Sequence, residues 1–138
     1  MTQDQTIARV LSASAAIALV GASANPARPS HMVMAALQRH GYRVIPVNPG
    51  LAGQTLLGER VYAALRDIPL PIDMVDVFRA VEHVPAITDD AIAIGAKALW
   101  LQFDIIDEAS AARARAAGLE VVMDRCTKIE AARLDIRK

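Results

Sequence analysis

The sequence predicts an α/β domain, an open five-stranded parallel sheet with helices on both faces, three layers in all. Three observations predict it. Five short apolar runs recur along the chain: AIALVG (16–21), YRVIPVN (42–48), DMVDVF (73–78), KALWLQF (97–103) and LEVVMD (119–124). They are continuous rather than alternating and rich in aliphatic residues, as strands buried on both faces must be. Segments with helical periodicity separate them, and strand alternating with helix over short connections implies parallel strands joined by right-handed crossovers. Finally, three of the helical segments run into glycine, at Gly41, Gly95 and Gly118, the residue that most readily takes the left-handed conformation ending a helix.

The elements follow in order. A helix is expected from Asp4 to Ala13, ahead of the first strand. The next spans about Ser30 to His40, with Val33, Ala36 and Leu37 on one face. After the second strand, the segment from Leu57 to Ile68 (LGERVYAALRDI) is expected to hold only a short helix. Helices over about 84–94 and 107–117 separate the third, fourth and fifth strands, and a last one over 128–134 closes the chain. No linker, low-complexity tract or fine repeat interrupts this pattern. Residues 1–138 therefore read as one domain, with 1–15 as an N-terminal helical segment.

Composition narrows the function. The chain of 138 residues is 54% hydrophobic but only 4% aromatic, so its core must be built from Ala, Val, Ile, Leu and Met. Fifteen basic residues balance fifteen acidic ones, which speaks against a general nucleic-acid binder. The stretch IALVGASANPARPS imitates a secretory signal with a small-residue cleavage site. The leader MTQDQTIAR, however, sets Asp4 ahead of its lone Arg9, whereas a signal needs a positive leader. No apolar run reaches the length that spans a bilayer, roughly 18 to 20 residues, so no membrane partner is expected. A single cysteine, Cys126, excludes an internal disulfide and a cysteine-based zinc site and fits a reducing, cytoplasmic setting.

In open parallel sheets the ligand sits beyond the carboxyl ends of the strands, near the point where strand order reverses. After the first strand stands GASANPARPS. Gly21 allows a tight turn and close approach of backbone to ligand, and Ala22 and Ser23 are small for the same reason. Ser30 is expected to cap the helix that begins near Pro29, turning its first N–H groups and positive dipole end toward the strand ends, a geometry that binds anions. Arg28 adds a charge-assisted contact to phosphate. The plainer reading is a strand-to-helix turn carrying a surface arginine. After the third strand, Phe78-Arg79 offers a flat apolar face beside a cation, suited to a nucleotide; a core-edge Phe with a solvated Arg is the alternative.

Several chemistries are disfavoured. The fingerprint G-x-G-x-x-G is absent, and Val47-Asn48-Pro49 stands where nicotinamide-binding domains place an acid for the ribose. A response regulator would carry its phosphoacceptor Asp where Phe78-Arg79 stands, Asp73 and Asp76 lying earlier. No nucleophile adjoins a base and no metal-ligating cluster is evident, so no complete catalytic apparatus is expected from this chain on its own. His40, at a helix end, reads as structural, while His31 and His83 lie near the loops that face a ligand. Cys126 is expected to begin the final helix, where the helix N-terminus and Arg125 would favour a thiolate and a redox role; buried packing is the alternative.

The segments GASANPARPSHMV, RVIPVNPGLAGQTLLGE, DMVDVFRAVEHVP and AIAIGAKALWLQFDIIDEASAARARAAGLEVVMDRCTKIE together resemble the small stand-alone coenzyme A-binding proteins. These are similar to the N-terminal domain of the succinyl-CoA synthetase α subunit. The resemblance runs from about Ala16 to Leu134 and implies a Rossmann-like domain with CoA or an acyl-CoA as ligand. Carried onto matching positions, it implies that Gly21, Ala22, Ser23, Arg28 and Ser30 surround the phosphates and the pantetheine entry. Asn48 and Pro49 would line the nucleotide groove, Phe78 and Arg79 the adenine or ribose side, and Gln102 the pantetheine arm. Where relatives often carry Lys after the Asn-Pro pair, this chain has Gly50 and Leu51. The expectation is a non-catalytic CoA-binding module, a carrier, sensor or partner of an enzyme. A subunit completing an acyl-CoA ligase with another chain and an NAD(H)-type sensor stay open. So do monomer and homodimer, Met32 and Met34 being expected to supply an apolar patch.

Overall fold

In the computed structural model, residues 2–138 are described. Helix α1 (Gln3–Ala13) leads into β1 (Ala16–Val20), followed by α2 (Pro29–Arg39), β2 (Arg43–Val47), a small hairpin of β3 (Thr55–Leu56) and β4 (Glu59–Arg60), then β5 (Met74–Val77). The chain continues through α3 (Val84–Ala93), β6 (Ala98–Leu101), α4 (Glu108–Ala116), β7 (Glu120–Val122) and α5 (Thr127–Arg133). The main sheet has five parallel strands in the order β2-β1-β5-β6-β7. This is the Rossmann-like three-layer architecture the sequence predicts, with each strand one to three residues shorter than its apolar run.

Alternation along the strands sorts the core into two halves. Ile17, Leu19, Met74 and Trp100 face α1, α2 and α5 through Leu11, Met34, Leu37 and Ala131. Ala18, Val75, Leu99 and Leu101 face α3 and α4 through Val84, Ala91, Ala111 and Ala114. Aliphatic strands buried on both sides and small residues on the helices thus replace the missing aromatics. Trp100 is fully buried and donates its indole N–H to the Arg125 carbonyl (2.8 Å), tying the loop after β7 to the sheet.

The segment 57–68 holds only a short helix, as expected, the 3₁₀ turn Leu65–Asp67, but it begins inside a β3–β4 hairpin that was not expected, and two further local expectations are corrected. The hairpin leads into Tyr62, which pairs with the edge strand β2 through Tyr62 N–H to Pro46 carbonyl (3.1 Å) and Asn48 N–H to Tyr62 carbonyl (2.9 Å). That tertiary pairing stabilises strands too short to form alone. Ser30 does not cap α2. Arg28 is the N-cap residue and makes no side-chain cap, and Pro29 opens the helix, which puts Ser30 inside its first turn and buried. Met34 cannot join a surface patch, because it is completely buried in the core; only Met32 is exposed.

Candidate functional site

From β1 the chain crosses outward to β2, and the next main-sheet strand, β5, lies on the other side of β1. Strand order therefore reverses between β1 and β5, and the loops leaving these two strands border a crevice. Gly21 sits at its floor with φ of +94°. Its N–H and that of Ala22 both donate to the Val47 carbonyl (3.0 and 3.2 Å). A Cβ at position 21 would collide with the Phe78 carbonyl. Glycine is required here both for the left-handed conformation and for the close approach of the two strand ends.

The loop beyond Gly21 braces itself. Asn25 N–H donates to Ser23 Oγ (3.1 Å), and Ala27 N–H to Asn25 Oδ1 (3.0 Å). Asn48 ties this loop to the turn after β2, donating to the Ala22 carbonyl (2.8 Å) and accepting from Gly50 N–H (2.8 Å). Its side chain is committed to framework, so Asn48 shapes the crevice. By contrast, the hydroxyl of Ser30 has no partner among the described residues. The resulting cavity, about 580 Å³, is bordered by the 21–25 loop, Arg28, Pro29, Ser30, Asn48 and Phe78. Arg28 is exposed and forms no ion pair among the described residues, unlike Arg43, Arg66 and Arg113, which pair with Glu59, Asp90 and Asp89. Its charge remains available to an anion at the start of α2.

A second cavity of about 410 Å³ adjoins the first, sharing Pro29 and Phe78. Val33, Ala80, Phe103, Ile105 and Cys126 make it largely apolar, with Arg79 and Gln102 at its polar points. Arg79 also borders a smaller pocket that holds Pro49 and His83, and its guanidinium donates to His83 Nε2 (3.1 Å). Beneath Gln102 lies a buried polar cluster. Gln102 Nε2 donates to Asp76 Oδ1 (2.5 Å) and Thr127 Oγ1 (3.0 Å), and the Thr127 hydroxyl donates to Asp76 Oδ2 (2.8 Å). Complete burial pushes the Asp76 carboxyl up to about 7, with the hydrogen bonds from Gln102 and Thr127 pulling the other way.

The structure brings Gly21, Ala22, Ser23, Arg28, Ser30, Asn48 and Phe78 around the first cavity, and Phe78, Arg79, Gln102 and Cys126 around the second. Pro49 lies apart from both, in the smaller pocket. His31 borders neither cavity, and His40 is structural: its Nδ1 bonds the Ile136 carbonyl (2.7 Å) at the end of α2. Cys126 is the N-cap residue of α5 and buried. The Arg125 guanidinium is directed to Asp4 and Glu130 (3.5 and 3.6 Å), which engage its charge. Sequence reasoning missed Phe103 and Ile105, although both stand in a strand-end loop, and missed Asp76 and Thr127 as partners of Gln102. An acid inside the apolar run DMVDVF was the signal for the cluster.

Comparison with known proteins fixes the family. Residues 15–132 match the family described as CoA binding domain. The chain belongs to that family. Among its relatives, protein YneT of Bacillus subtilis (strain 168) is 37% identical over 123 residues, 89% of this chain and 90% of that one. A solved Thermus thermophilus structure, cell-free ID.343, superposes with a TM-score of 0.91 at 38% identity, covering 97% of this chain and 99% of the other. The dinucleotide-forming acetyl-coenzyme A synthetase 1 of Ca. Korarchaeum cryptofilum contains a similar unit, with a TM-score of 0.70 at 26% identity; 84% of this chain matches 27% of that enzyme. CoA-binding domains thus occur both as small proteins and inside a larger enzyme. No described helix of this member is long and apolar enough to cross a membrane.

Proposed function

We propose that this chain binds coenzyme A or an acyl-CoA as a binding module, with Gly21, Ala22, Ser23, Arg28 and Ser30 at the phosphates. The observation that carries this reading is the junction of two unlike cavities at Pro29 and Phe78. One offers backbone, a free hydroxyl and an unpaired arginine; the other is an apolar recess. CoA has the matching asymmetry, with phosphates and adenosine at one end and a long arm ending in a thiol at the other. Phe78 lies between the two, and Arg79 stands beside it on the apolar cavity and the neighbouring Pro49 pocket; both suit the nucleotide side, and the arm enters past Gln102. Nothing in the arrangement pairs a nucleophile with a base, which supports a carrier, a sensor or a partner of an enzyme.

The test is native mass spectrometry of the reduced protein with calorimetric titration of CoA, acetyl-CoA, NAD and ATP. A charge-assisted contact contributes about 1.5–3 kcal/mol. Arg28→Ala is therefore expected to weaken CoA binding by roughly ten- to a hundredfold. Binding of NAD in preference to CoA, or of none of the four, would refute the reading and leave only the fold.

A second reading, a subunit that completes an acyl-CoA ligase with another chain, draws support from the match to about a quarter of the acetyl-coenzyme A synthetase. Copurification with a chain able to bind a nucleoside triphosphate favours it. Cys126 adds a redox possibility, since its position on the arm cavity brings it to the thiol end of the ligand. With CoA disulfide as oxidant, the Cys126 thiolate would form a mixed disulfide with one CoA and release the other as thiolate. A Cys126→Ser chain that still formed the adduct would exclude this.

A further inference from the structure

Asp76 on β5, Gln102 just past β6 and Thr127 at the start of α5 form a closed polar triangle beneath the apolar cavity. All three are buried. The hydrogens in it can be counted. The amide nitrogen of Gln102 has two, and one goes to each neighbour; the Thr127 hydroxyl has one, and it goes to the carboxylate. An ionised carboxylate only accepts, so above about pH 7, where burial no longer keeps its proton, Asp76 dictates the direction of every bond in the triangle. The Gln102 amide cannot turn over without setting its oxygen against that carboxylate.

The other end of the amide is unspent. The Gln102 carbonyl oxygen has no partner among the described residues, and the buried side-chain oxygen left unpaired among them is a different one, Glu120 Oε2. The Gln102 oxygen is therefore not sealed in, and Gln102 borders the apolar cavity between Phe103, Ile105, Cys126 and Val33.

We infer that Asp76 and Thr127 are positioning residues that fix Gln102 with its carbonyl oxygen toward the cavity, so that this cavity selects a ligand arm bearing an amide N–H. The inference rests on the CoA reading for the identity of the arm, since the pantetheine arm carries two amides. In an apolar wall an acceptor without a donor is costly, and a site built to hydrogen-bond a group discriminates strongly against an analogue that lacks it.

The experiment is calorimetric titration of the full-length chain at pH 8 with three probes. They are CoA, adenosine 3′,5′-bisphosphate, which lacks the arm, and CoA analogues in which one arm amide is replaced by an ester, removing its N–H. The wild-type chain is expected to bind one of the ester analogues about tenfold or more weakly than CoA. In Asp76→Asn the Gln102 amide is free to turn, so CoA binding is expected to fall by a similar factor and the discrimination against the ester to vanish. Adenosine 3′,5′-bisphosphate should bind both chains alike. Thr127→Val, nearly isosteric, is expected to show the same pattern more weakly and serves where Asp76→Asn does not fold. Equal binding of CoA and both ester analogues by the wild type would overturn the inference. So would a parallel loss of all three probes in the variants, which is the mark of a structural role. If the wild type bound CoA no better than the arm-less nucleotide, the CoA reading would stand and the inference fall. If it bound neither, both would fall.

Discussion

Gly21 lies where the ends of β1, β2 and β5 converge, and its role combines backbone conformation with steric clearance. Gly21→Ala must adopt φ near +94° and displace the Phe78 carbonyl. A residue forced into that region costs on the order of 1–3 kcal/mol before any clash is counted. Urea unfolding followed by the fluorescence of Trp100, the only tryptophan, should show at least this loss, together with weakened CoA binding. Asp76 gives a second test at this scale. Its carboxyl titrates near 7 in the folded protein against 3.8 in the unfolded chain. Between those values the native state keeps a proton that the unfolded state has released, so stability falls as pH rises from about 4 to about 7 and the Asp76 contribution then levels off. Unfolding curves across that range should lose this slope in Asp76→Asn; an unchanged slope would mean the carboxyl is not held protonated by burial. Gly21 was legible because a glycine closing an apolar strand marks a tight turn or a close backbone approach, and its position at the strand end is visible locally. The Asp76 cluster was not, because its members are 26 and 51 residues apart or separated by 25.

Helix α4 shows how a core poor in aromatics is closed. Its inward face is Ser110, Ala111 and Ala114, all essentially buried, and such small side chains let the helix backbone come close to the sheet. Ala111→Leu would overpack this contact, and an unfolding free energy lower by about 1–3 kcal/mol is expected, with CoA affinity unchanged because α4 borders neither cavity. Helices and central strands were readable as elements because their signals are local: apolar runs, periodicity and terminal glycines. The β3–β4 hairpin was not, since two-residue strands carry no periodicity and are held by the neighbouring edge strand β2. The cap of α2 was misread for a related reason. Serine favours the N-cap, but Pro29 fits the first helical position, and the helix therefore starts one residue earlier and draws Ser30 inside.

Across the whole molecule the charges sum to zero, yet they are not evenly neutralised. Arg9, Arg43, Arg66, Arg113 and Arg133 pair with acids on the flanks, whereas Arg28 and Arg79, at the carboxyl rim of the sheet, form no ion pair with an acid among the described residues, and neither do Arg39, Arg60 and Arg115 elsewhere. Two arginine charges thus stand at the crevice without an ion-paired acid. Exposed charge of this kind is screened by salt, the Debye length shrinking from about 30 Å at 0.01 M to about 3 Å at 1 M. CoA affinity is expected to fall several-fold over that range in wild type and to be much flatter in Arg28→Ala. A salt-independent affinity would place the phosphates elsewhere.

By itself the sequence determined the α/β class, five strands with their intervening helices and the family resemblance, and it singled out the loop after β1 as the proposed ligand side. Each of these follows from patterns confined to neighbouring residues or to strand ends. The tertiary structure decided what only spatial neighbours can define. It set Gly21 against Phe78, joined the polar and apolar cavities at Pro29 and Phe78, and left Arg28 without an acid. It also gathered Asp76, Gln102 and Thr127 from three elements into one cluster. The physical reason is that a parallel sheet places the ends of strands distant in sequence side by side, and the hydrogen bonds and cavities formed there belong to no single segment.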